Sequence, residues 1–429
     1  MPPAAFYLLV LLMPLALSPA RAAPPPWTEP LTLGQALARA EAPVPEMLAA
    51  DAEVNAARAE VQAADSRTGL RVDVEGRLRL GAPLDPAFSR NDSALALVLR
   101  RRLTDFGRTP AARRAGAADL EAARLERRWA RWQRRLAILD AYLEVLEADQ
   151  DYQVEDEHLA VLFVRLDALR DRHRLGQVSD VALLELESRY QHARVAHRRA
   201  DARRRLARAR LAEALGTPGV LPGELAPVPD PEAALSPLPP LETLEREVMT
   251  HHPRLRALEA RLRAAEARVA QAAATAHPEL SLEAGAGAYA RDFGGRNRWH
   301  AGVVLSLPLE TGGVRDAALA RARAARDRAR AALEALRRRV RLELRTLVEE
   351  IGILQAREKA AAAGLEYRDL DLERSRARYE LELQTDLGDA MVELEKAQRE
   401  RDRVRDDLLR ALARLDALRG REPLAEVVQ

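Results

Sequence analysis

Polar and apolar residues follow two different periods along the chain, and the periods change in the same order twice. In RVDVEGRLRL, alternate positions are apolar, namely Leu70, Val72, Val74, Leu78 and Leu80. A two-residue period is typical of a β strand with one apolar face. The same alternation returns in SALALVLRRRL, then in ELSLEAGAGAYA and in RWHAGVVLSLPL. The pattern predicts one β hairpin in each half of the chain, within residues 70–103 and 280–309.

Helical periodicity fills most of the remaining sequence. Residues 108–173 and 314–379 have no proline beyond their first turn and predict two very long helices, each about 100 Å in length at 1.5 Å per residue. Apolar residues follow alternating spacings of three and four along the second of them, which is typical of a coiled-coil seam. That seam consists of Leu333, Leu336, Val340, Leu344, Leu347, Ile351 and Leu354, and a second one consists of Val404, Leu408, Ala411, Leu415 and Leu418.

An internal duplication relates the two halves. Ser179 and Thr385, Asp180 and Asp386, and Gly107 and Gly313 are all separated by 206 residues. We divide the chain accordingly into residues 23–216, the Pro-rich linker 217–240, residues 241–420 and a tail of residues 421–429.

Each repeat has the same predicted plan. A helix at 46–67 or 254–275 precedes the hairpin, and the long helix after it turns at a tip near 174–180 or 380–386. The returning helices, 179–216 and 385–419, are about half as long as the long ones. We therefore expect the two shorter helices of each repeat to stack end to end beside the long helix.

The N-terminal residues 1–22 predict a cleavable export signal. An apolar run from Ala4 to Leu17 is followed by Ala20-Arg21-Ala22, a small-residue cleavage pattern, although no basic residue precedes the run. An uncleaved anchor helix is the alternative, but about 14 apolar residues are few for a membrane span. The sequence has no cysteine, which excludes disulfides, thiolate metal sites and a lipidated cysteine.

Composition and motifs argue against several classes of function. Acidic and basic residues nearly cancel at a net charge of +2 and are interspersed, whereas a nucleic-acid binder usually concentrates basic residues. The histidines at 251, 252, 192 and 197 lack convincing metal-ligand spacing, and GAGAYA near Gly285 is followed by a strand instead of a phosphate-binding helix. We find no catalytic constellation, so the sequence predicts no enzyme, no cofactor and no metal site.

Four strands are too few to close a barrel in a membrane. A four-stranded sheet in lipid leaves two edges of about ten backbone groups each, and each unsatisfied group costs several kcal/mol. Chains would therefore have to pool their strands, and three copies give twelve. The alternating residues fit a lipid-facing apolar side and a wet polar side, although a soluble hairpin with one solvated face has the same pattern.

The duplicated order of elements resembles the TolC-like outer-membrane efflux proteins. The resemblance is carried by Pro45 and Pro253 before the hairpins, by DFGR and ETGG after them, and by Gly-x-x-Ser-Asp at the first tip, and it covers residues 30–419. It implies a mainly α protein with a small β part. It also implies a homotrimer whose 12-stranded barrel in outer-membrane lipid continues as an α-helical barrel through the periplasm. The implied partners are a periplasmic adaptor and an inner-membrane transporter, with no nucleic acid.

The resemblance also assigns roles to the tips. It implies a periplasmic gate at Asp386, Asp389 and Asp180. The implied adaptor contacts are Leu175, Gly176, Gln177, Val178, Ser179, Leu381, Leu383 and Thr385. Helix capping is the competing interpretation, favoured for Ser179 and Thr385 and weaker for Asp389. Gly176 aligns with Glu382, so the second tip departs from the pattern of the first.

The sequence therefore predicts a passive exit duct of a tripartite efflux or secretion system. The alternative is a secreted or periplasmic coiled-coil scaffold or adaptor whose hairpins never enter lipid. Metal ions, drugs and proteins all stay open as cargo.

Overall fold

A computed structural model describes residues 27–81, 90–228, 237–290, 297–381 and 387–425. The helices are α1 (Leu33–Ala38), α2 (Pro45–Ser66), α3 (Arg108–Arg174), α4 (Asp180–Ala214), α5 (Leu241–His251), α6 (Pro253–Ala273), α7 (Val314–Glu380) and α8 (Leu387–Arg419). The strands are β1 (Leu70–Arg77), β2 (Ala94–Thr104), β3 (Glu279–Tyr289) and β4 (Trp299–Ser306). The fold is mainly helical with one small sheet, and its order of elements repeats once, as predicted.

The two hairpins form one antiparallel sheet of order β1-β2-β3-β4. Two strands are shorter than their alternating pattern predicts: β1 ends at Arg77, so that Leu78 and Leu80 lie beyond it, and β4 ends at Ser306. In β2 the register shifts between Arg102 and Thr104, which places Leu103 in a bulge. Within the described residues, β1 and β4 each pair on one side only, and the sheet therefore has two open edges.

The two faces of the sheet differ sharply in chemistry. The cross-strand pairs Val72–Leu99, Leu97–Ala286 and Ala284–Ala301 lie on one face. This face carries exposed apolar side chains, namely Leu70, Val72, Val74, Leu95, Leu97, Leu282, Trp299, Val303 and Leu305. The opposite face carries ion pairs across the strands. There the Arg100 guanidinium lies 3.6 Å from Glu75 and 3.5 Å from Glu283, and Arg102 lies 2.9 Å from Glu279.

The helices pack side by side in a single layer. In the half next to the sheet their order is α2, α3, α6, α7, and in the half towards the tips it is α4, α3, α8, α7. The long helix α3 thus packs against α2 and then α4, and α7 against α6 and then α8, which confirms the predicted end-to-end stacking. No described helix is both long enough and apolar enough to cross a membrane.

The predicted seams form one of two hydrophobic cores. All of the seam residues from Leu333 to Leu354 and from Val404 to Leu418 are buried, and all except Val404 pack in one cluster with Leu244, Val248 and Leu255. The second core surrounds the middle of α3, where the N-terminal segment and the linker lie side by side through a bridge between Leu31 and Leu225. The buried Tyr142 hydroxyl lies 2.8 Å from the Leu31 carbonyl and 2.6 Å from the Ala226 carbonyl.

Two glycines lie where the short helices meet. After α4, Gly216 has φ +73, and its N–H donates to the Glu213 carbonyl (2.9 Å). After α8, Gly420 has φ +80, and Arg421 N–H donates to the Asp416 carbonyl (2.9 Å). A left-handed residue of this kind ends a helix abruptly. The chain therefore turns away at each junction and leaves room for the start of α2 or α6.

Candidate functional site

The first tip is a tight turn between α3 and α4. Gly176, with φ +74, donates its N–H to the His173 carbonyl (2.8 Å), and Gln177 donates to the Arg172 carbonyl (3.0 Å). These two bonds form a Schellman motif, which requires a left-handed residue at the position of Gly176. Leu175 is 72% exposed, Gly176, Gln177 and Ser179 are exposed, and Val178 is half-buried. The turn thus presents a rigid surface with an apolar side chain.

Ser179 and Asp180 close this tip. The Ser179 hydroxyl accepts a hydrogen bond from the Ala182 N–H at 3.3 Å, which confirms the predicted N-cap. Asp180 lies in the first turn of α4, where a negative charge interacts favourably with the helix dipole. Its carboxylate also lies 2.6 Å from Nε2 of His173, on the other side of the turn. Asp180 therefore helps to hold the two helices of the tip together.

The second tip is described only at its two ends. The helix α7 ends at Glu380, and the following Leu381 is 67% exposed, so it has the accessibility that a contact residue needs. The predicted site residues Leu383, Thr385 and Asp386, together with Glu382, lie outside the described residues.

Asp389, in the first turn of α8, pairs with the first repeat. Its carboxylate lies 2.8 Å from Nη2 of Arg165 on α3, and both side chains are partly exposed. Beside the pair, a Cβ placed on Gly388 would be 3.0 Å from Val161 Cγ1, which shows how closely α8 approaches α3 there. Sequence reasoning missed Arg165. The sequence shows only one arginine among many on α3, and its position facing α8 becomes apparent only in the fold.

A groove of about 1050 Å³ lies between the tip-ward parts of α3, α7 and α8. Its lining includes Val161, Val164 and Leu169 of α3, Tyr379 of α7 and Met391 of α8, and Arg165 and Asp389 also line it. The groove is mainly apolar with an ion pair in its wall, a composition that suits an amphipathic helical partner.

The contact between α3 and α8 is otherwise rich in charge. The Arg410 guanidinium lies 2.7 Å from Glu147, and the Gln150 side chain donates to Asp402 at 2.8 Å. Burial, and then the neighbouring Glu147 carboxylate, raise the pKa of Asp406 to about 7. Burial and the Glu395 carboxylate likewise raise the pKa of Glu157. The two repeats thus meet along a polar contact that includes acids held close together.

Both free edges of the helical layer carry apolar side chains. The outer face of α7 has a second stripe with alternating spacings of four and three, and all of its residues are exposed. It consists of Leu342, Thr346, Glu349, Ile353, Ala356, Ala360, Ala363, Tyr367 and Leu370. The outer face of α4 exposes Val181, Leu184, Val195 and Leu206. Sequence reasoning missed the stripe on α7, although its spacing is a readable coiled-coil signal.

Comparison with known proteins identifies the class. The chain matches the family described as outer membrane efflux protein over residues 34–217 and 244–421, two stretches that correspond to the two repeats. The chain therefore belongs to the outer membrane efflux protein family. This confirms the predicted class, its outer-membrane location and its role in efflux, and nothing supports the alternative of a scaffold outside the membrane. The family is one of efflux proteins, not of enzymes.

Solved structures of outer membrane channels share the fold. The Campylobacter jejuni CmeC channel is 15% identical with a TM-score of 0.75, over 90% of this chain and 85% of that chain. Vibrio cholerae VceC is 20% identical with a TM-score of 0.71, over 90% of this chain and 96% of that chain. The open state of Neisseria gonorrhoeae MtrE is 18% identical with a TM-score of 0.71, over 91% of this chain and 89% of that chain. No curated protein sequence gives a significant match to the chain.

Proposed function

We propose that three copies of this chain assemble into a closed duct, with a 12-stranded barrel in the outer membrane and an α-helical barrel below it. The duct is passive and conducts substrates outwards from a periplasmic adaptor and an inner-membrane transporter. The observation that carries this proposal is the position of the free edges. The β1 edge directly follows α2, and the β4 edge directly precedes α7, so each open edge of the sheet lies above an exposed edge of the helical layer.

The two edges of one copy are complementary to each other. Joining β4 of one copy to β1 of the next continues the antiparallel alternation, and it brings the α7 stripe against α2 and α4 of that next copy. Such a head-to-tail contact closes into a ring when the rotation between copies is right. Closure removes the cost of unpaired edges in lipid, on the order of tens of kcal/mol. Four strands per copy and three copies give an even number of strands, as bacterial barrels have.

The chemistry of the sheet supports its place in lipid. Its apolar face is exposed over all four strands, and its polar face carries cross-strand ion pairs. In a closed barrel the apolar face meets hydrocarbon, and the charged face lines a wet lumen.

The tips supply the contacts with the adaptor and the gate. The exposed Leu175 and Leu381, together with the apolar groove between α3, α7 and α8, offer a surface for an amphipathic helix of an adaptor. Asp389 of each copy, with Asp386 and Asp180, is our candidate for a ring of carboxylates at the mouth. At ~6 Å and an effective dielectric of ~20, each like-charge pair costs ~3 kcal/mol before screening, and Arg165, 2.8 Å from Asp389, offsets part of this repulsion. The ring attracts cations because its carboxylates outnumber these guanidiniums.

Assembly is tested by placing a charge in the α7 stripe. Ile353 is 57% exposed in the single chain, and in the ring it is buried against the next copy. We expect Ile353→Glu to abolish the heat-resistant trimer in outer-membrane fractions, because the carboxylate loses its water without gaining a partner. Lys359→Glu is the matched control, since Lys359 is exposed and belongs neither to the buried seam of α7 nor to its outer stripe. A wild-type chain that fractionates as a soluble monomer contradicts the proposed duct.

The gate is tested by conductance in planar bilayers. We expect Asp386→Asn combined with Asp389→Asn to weaken block by multivalent cations roughly tenfold, which corresponds to ~1.4 kcal/mol of lost attraction. Asp369→Asn is the control, because Asp369 is an exposed acid on α7 above the tip. Block that stays unchanged in the double variant removes both residues from the constriction.

A further inference from the structure

A groove at the middle of the first repeat has no occupant in the described chain. It encloses about 930 Å³ where the end of α4 meets the start of α2. Its apolar part includes Val44, Met47 and Ala137, and Gln133 lies exposed in its α3 wall. Its charged lining consists of four carboxylates and two guanidiniums, namely Glu46, Asp140, Glu144, Glu213, Arg134 and Arg210. Within this lining Glu144 is paired with Arg210, and the Asp140 carboxylate lies 3.5 Å from Arg410 of α8. The groove is thus apolar at its base, and Glu46 and Glu213 are the acids that remain for its rim.

The groove lies at the free edge of the protomer. Its walls come from α2, α3 and α4, and α2 and α4 are the outermost helices on that side of the layer. A neighbouring copy in the proposed ring therefore approaches it with the opposite edge, which is α7.

The ion pairs of α6 show which part of α7 arrives at that height. Arg261 of α6 lies 2.7 Å from Glu126 of α3, and Glu259, only two residues away, lies 2.8 Å from Arg337 of α7. Arg337 and Glu126 are therefore at nearly the same height. Both α3 and α7 run antiparallel to α6, so they descend in parallel from this level. Five residues further along α7 and about seven further along α3, Leu342 therefore lies close to the height of Gln133. Rotation about an axis parallel to the helices leaves this height unchanged.

The chemistry of α7 at this height complements the groove. Leu342 is 67% exposed at the centre of the basic stretch RRRVRLELR, residues 337–345. Arg338 and Arg345 lie four residues before and three residues after Leu342, on the same helix face and both exposed. Arg345 also lies 4.0 Å from Glu245 of α5, a long contact that leaves its guanidinium mostly exposed. An apolar side chain flanked by guanidiniums thus faces an apolar groove whose rim carries the Glu46 and Glu213 carboxylates.

We propose that Leu342 of one copy inserts into the groove at the α2–α4 junction of the next copy, with Arg338 and Arg345 paired to its acidic rim. This contact rests on the proposed trimer and adds a specific anchor to it. It fixes the vertical register between copies, because an insertion one helical turn higher or lower places Leu342 outside the groove.

Introduced cysteines test the contact cleanly, because the natural chain has none. We expect Gln133→Cys combined with Leu342→Cys to give covalently linked dimers and trimers under mild oxidation of the intact trimer in membranes. The matched control is Gln133→Cys with Ile353→Cys. Ile353 is on the same stripe and similarly exposed, but it lies 11 residues, or about 16 Å, further down α7. We expect at least tenfold less linking in this control.

Each other outcome has a defined meaning. A protein that is trimeric but links through residue 353 instead of 342, or through neither, overturns the anchor and leaves the duct intact. Protection of a lone Gln133→Cys from thiol reagents, without linking to residue 342, places a different occupant in the groove and also overturns the anchor. A monomer in the membrane overturns both proposals.

Discussion

Replacing Gly420 by alanine is expected to destabilise the protein by roughly 2–5 kcal/mol, the largest effect that we expect from a single methyl group. Gly420 has φ +80, a conformation that costs an L-residue about 1–2 kcal/mol. A Cβ at this position would also lie 2.5 Å from the backbone oxygen of His251. Backbone at a helix junction cannot move aside without displacing α5 and α6, so a packing cost of about 1–3 kcal/mol is added.

Two other glycines separate these causes. Gly216 has φ +73, and its added Cβ would lie 2.7 Å from a methyl group of Val44, which can rotate away more easily than backbone. Gly219 has φ +87 and open space around its Cβ position, so it reports backbone strain alone. We expect destabilisation to decrease from Gly420→Ala to Gly216→Ala to Gly219→Ala, measured as the midpoint of thermal loss of helical circular dichroism in detergent. Equal effects at Gly420 and Gly219 would contradict the role of the His251 contact.

These junctions show where sequence reasoning succeeds and where it stops. The stacking of short helices beside long ones follows from helix lengths, which proline and glycine punctuate clearly. The close approach of Gly420 to His251 does not, because the two residues are 169 positions apart and the contact depends on how two helix ends meet. The strands show a similar limit. Leu78 and Leu80 keep the alternation of β1 but lie beyond the strand, and Leu80 pairs again through an isolated antiparallel bridge with Asn91.

The candidate site was predictable at the first tip and less so elsewhere. Ser179 and Gly176 follow local rules of capping and left-handed turns, and the structure places them accordingly. The ion pair between Asp389 and Arg165 could not be predicted in this way. It depends on which side of the 67-residue helix α3 Arg165 faces, and a heptad pattern does not determine this direction. The outer stripe of α7 was readable, but alanines, Thr346 and Glu349 dilute its apolar character.

Asp406 could not be singled out from the sequence, because acids are frequent on every helix of this chain. Its surroundings distinguish it. On its own helix its neighbours are Asp402, Asp407, Arg405 and Arg410, and on α3 they are Glu147, Asp149 and Gln150. Of the described linker residues, Pro227 and Val228 line this site, and Glu358 of α7 binds Arg405. The Asp406 carboxylate thus lies at the contact between the two repeats, with acidic neighbours on both sides.

We expect Asp406→Asn to stabilise the protein increasingly as the pH rises from 5 to 7. Burial and the Glu147 carboxylate raise the pKa of Asp406 from 3.8 to about 7 in the folded chain. Well below pH 4 the carboxyl group is protonated in both the folded and the unfolded chain, so it does not affect the free energy of unfolding through ionisation. As the pH rises, the unfolded chain releases this proton first, so folding becomes less favourable until about pH 7. The full penalty above that pH has an upper bound of about 4 kcal/mol.

The asparagine variant removes the titration and should therefore show a flatter dependence of unfolding free energy on pH. Glu400→Gln is the matched control, because Glu400 is an exposed acid on the same helix, nearer the tip. Denaturant unfolding of both variants at pH 5, 6, 7 and 8 distinguishes them. A difference between wild type and Asp406→Asn that stays constant with pH would mean that the carboxyl group ionises normally, and that the contact between α3 and α8 does not respond to periplasmic pH through this residue.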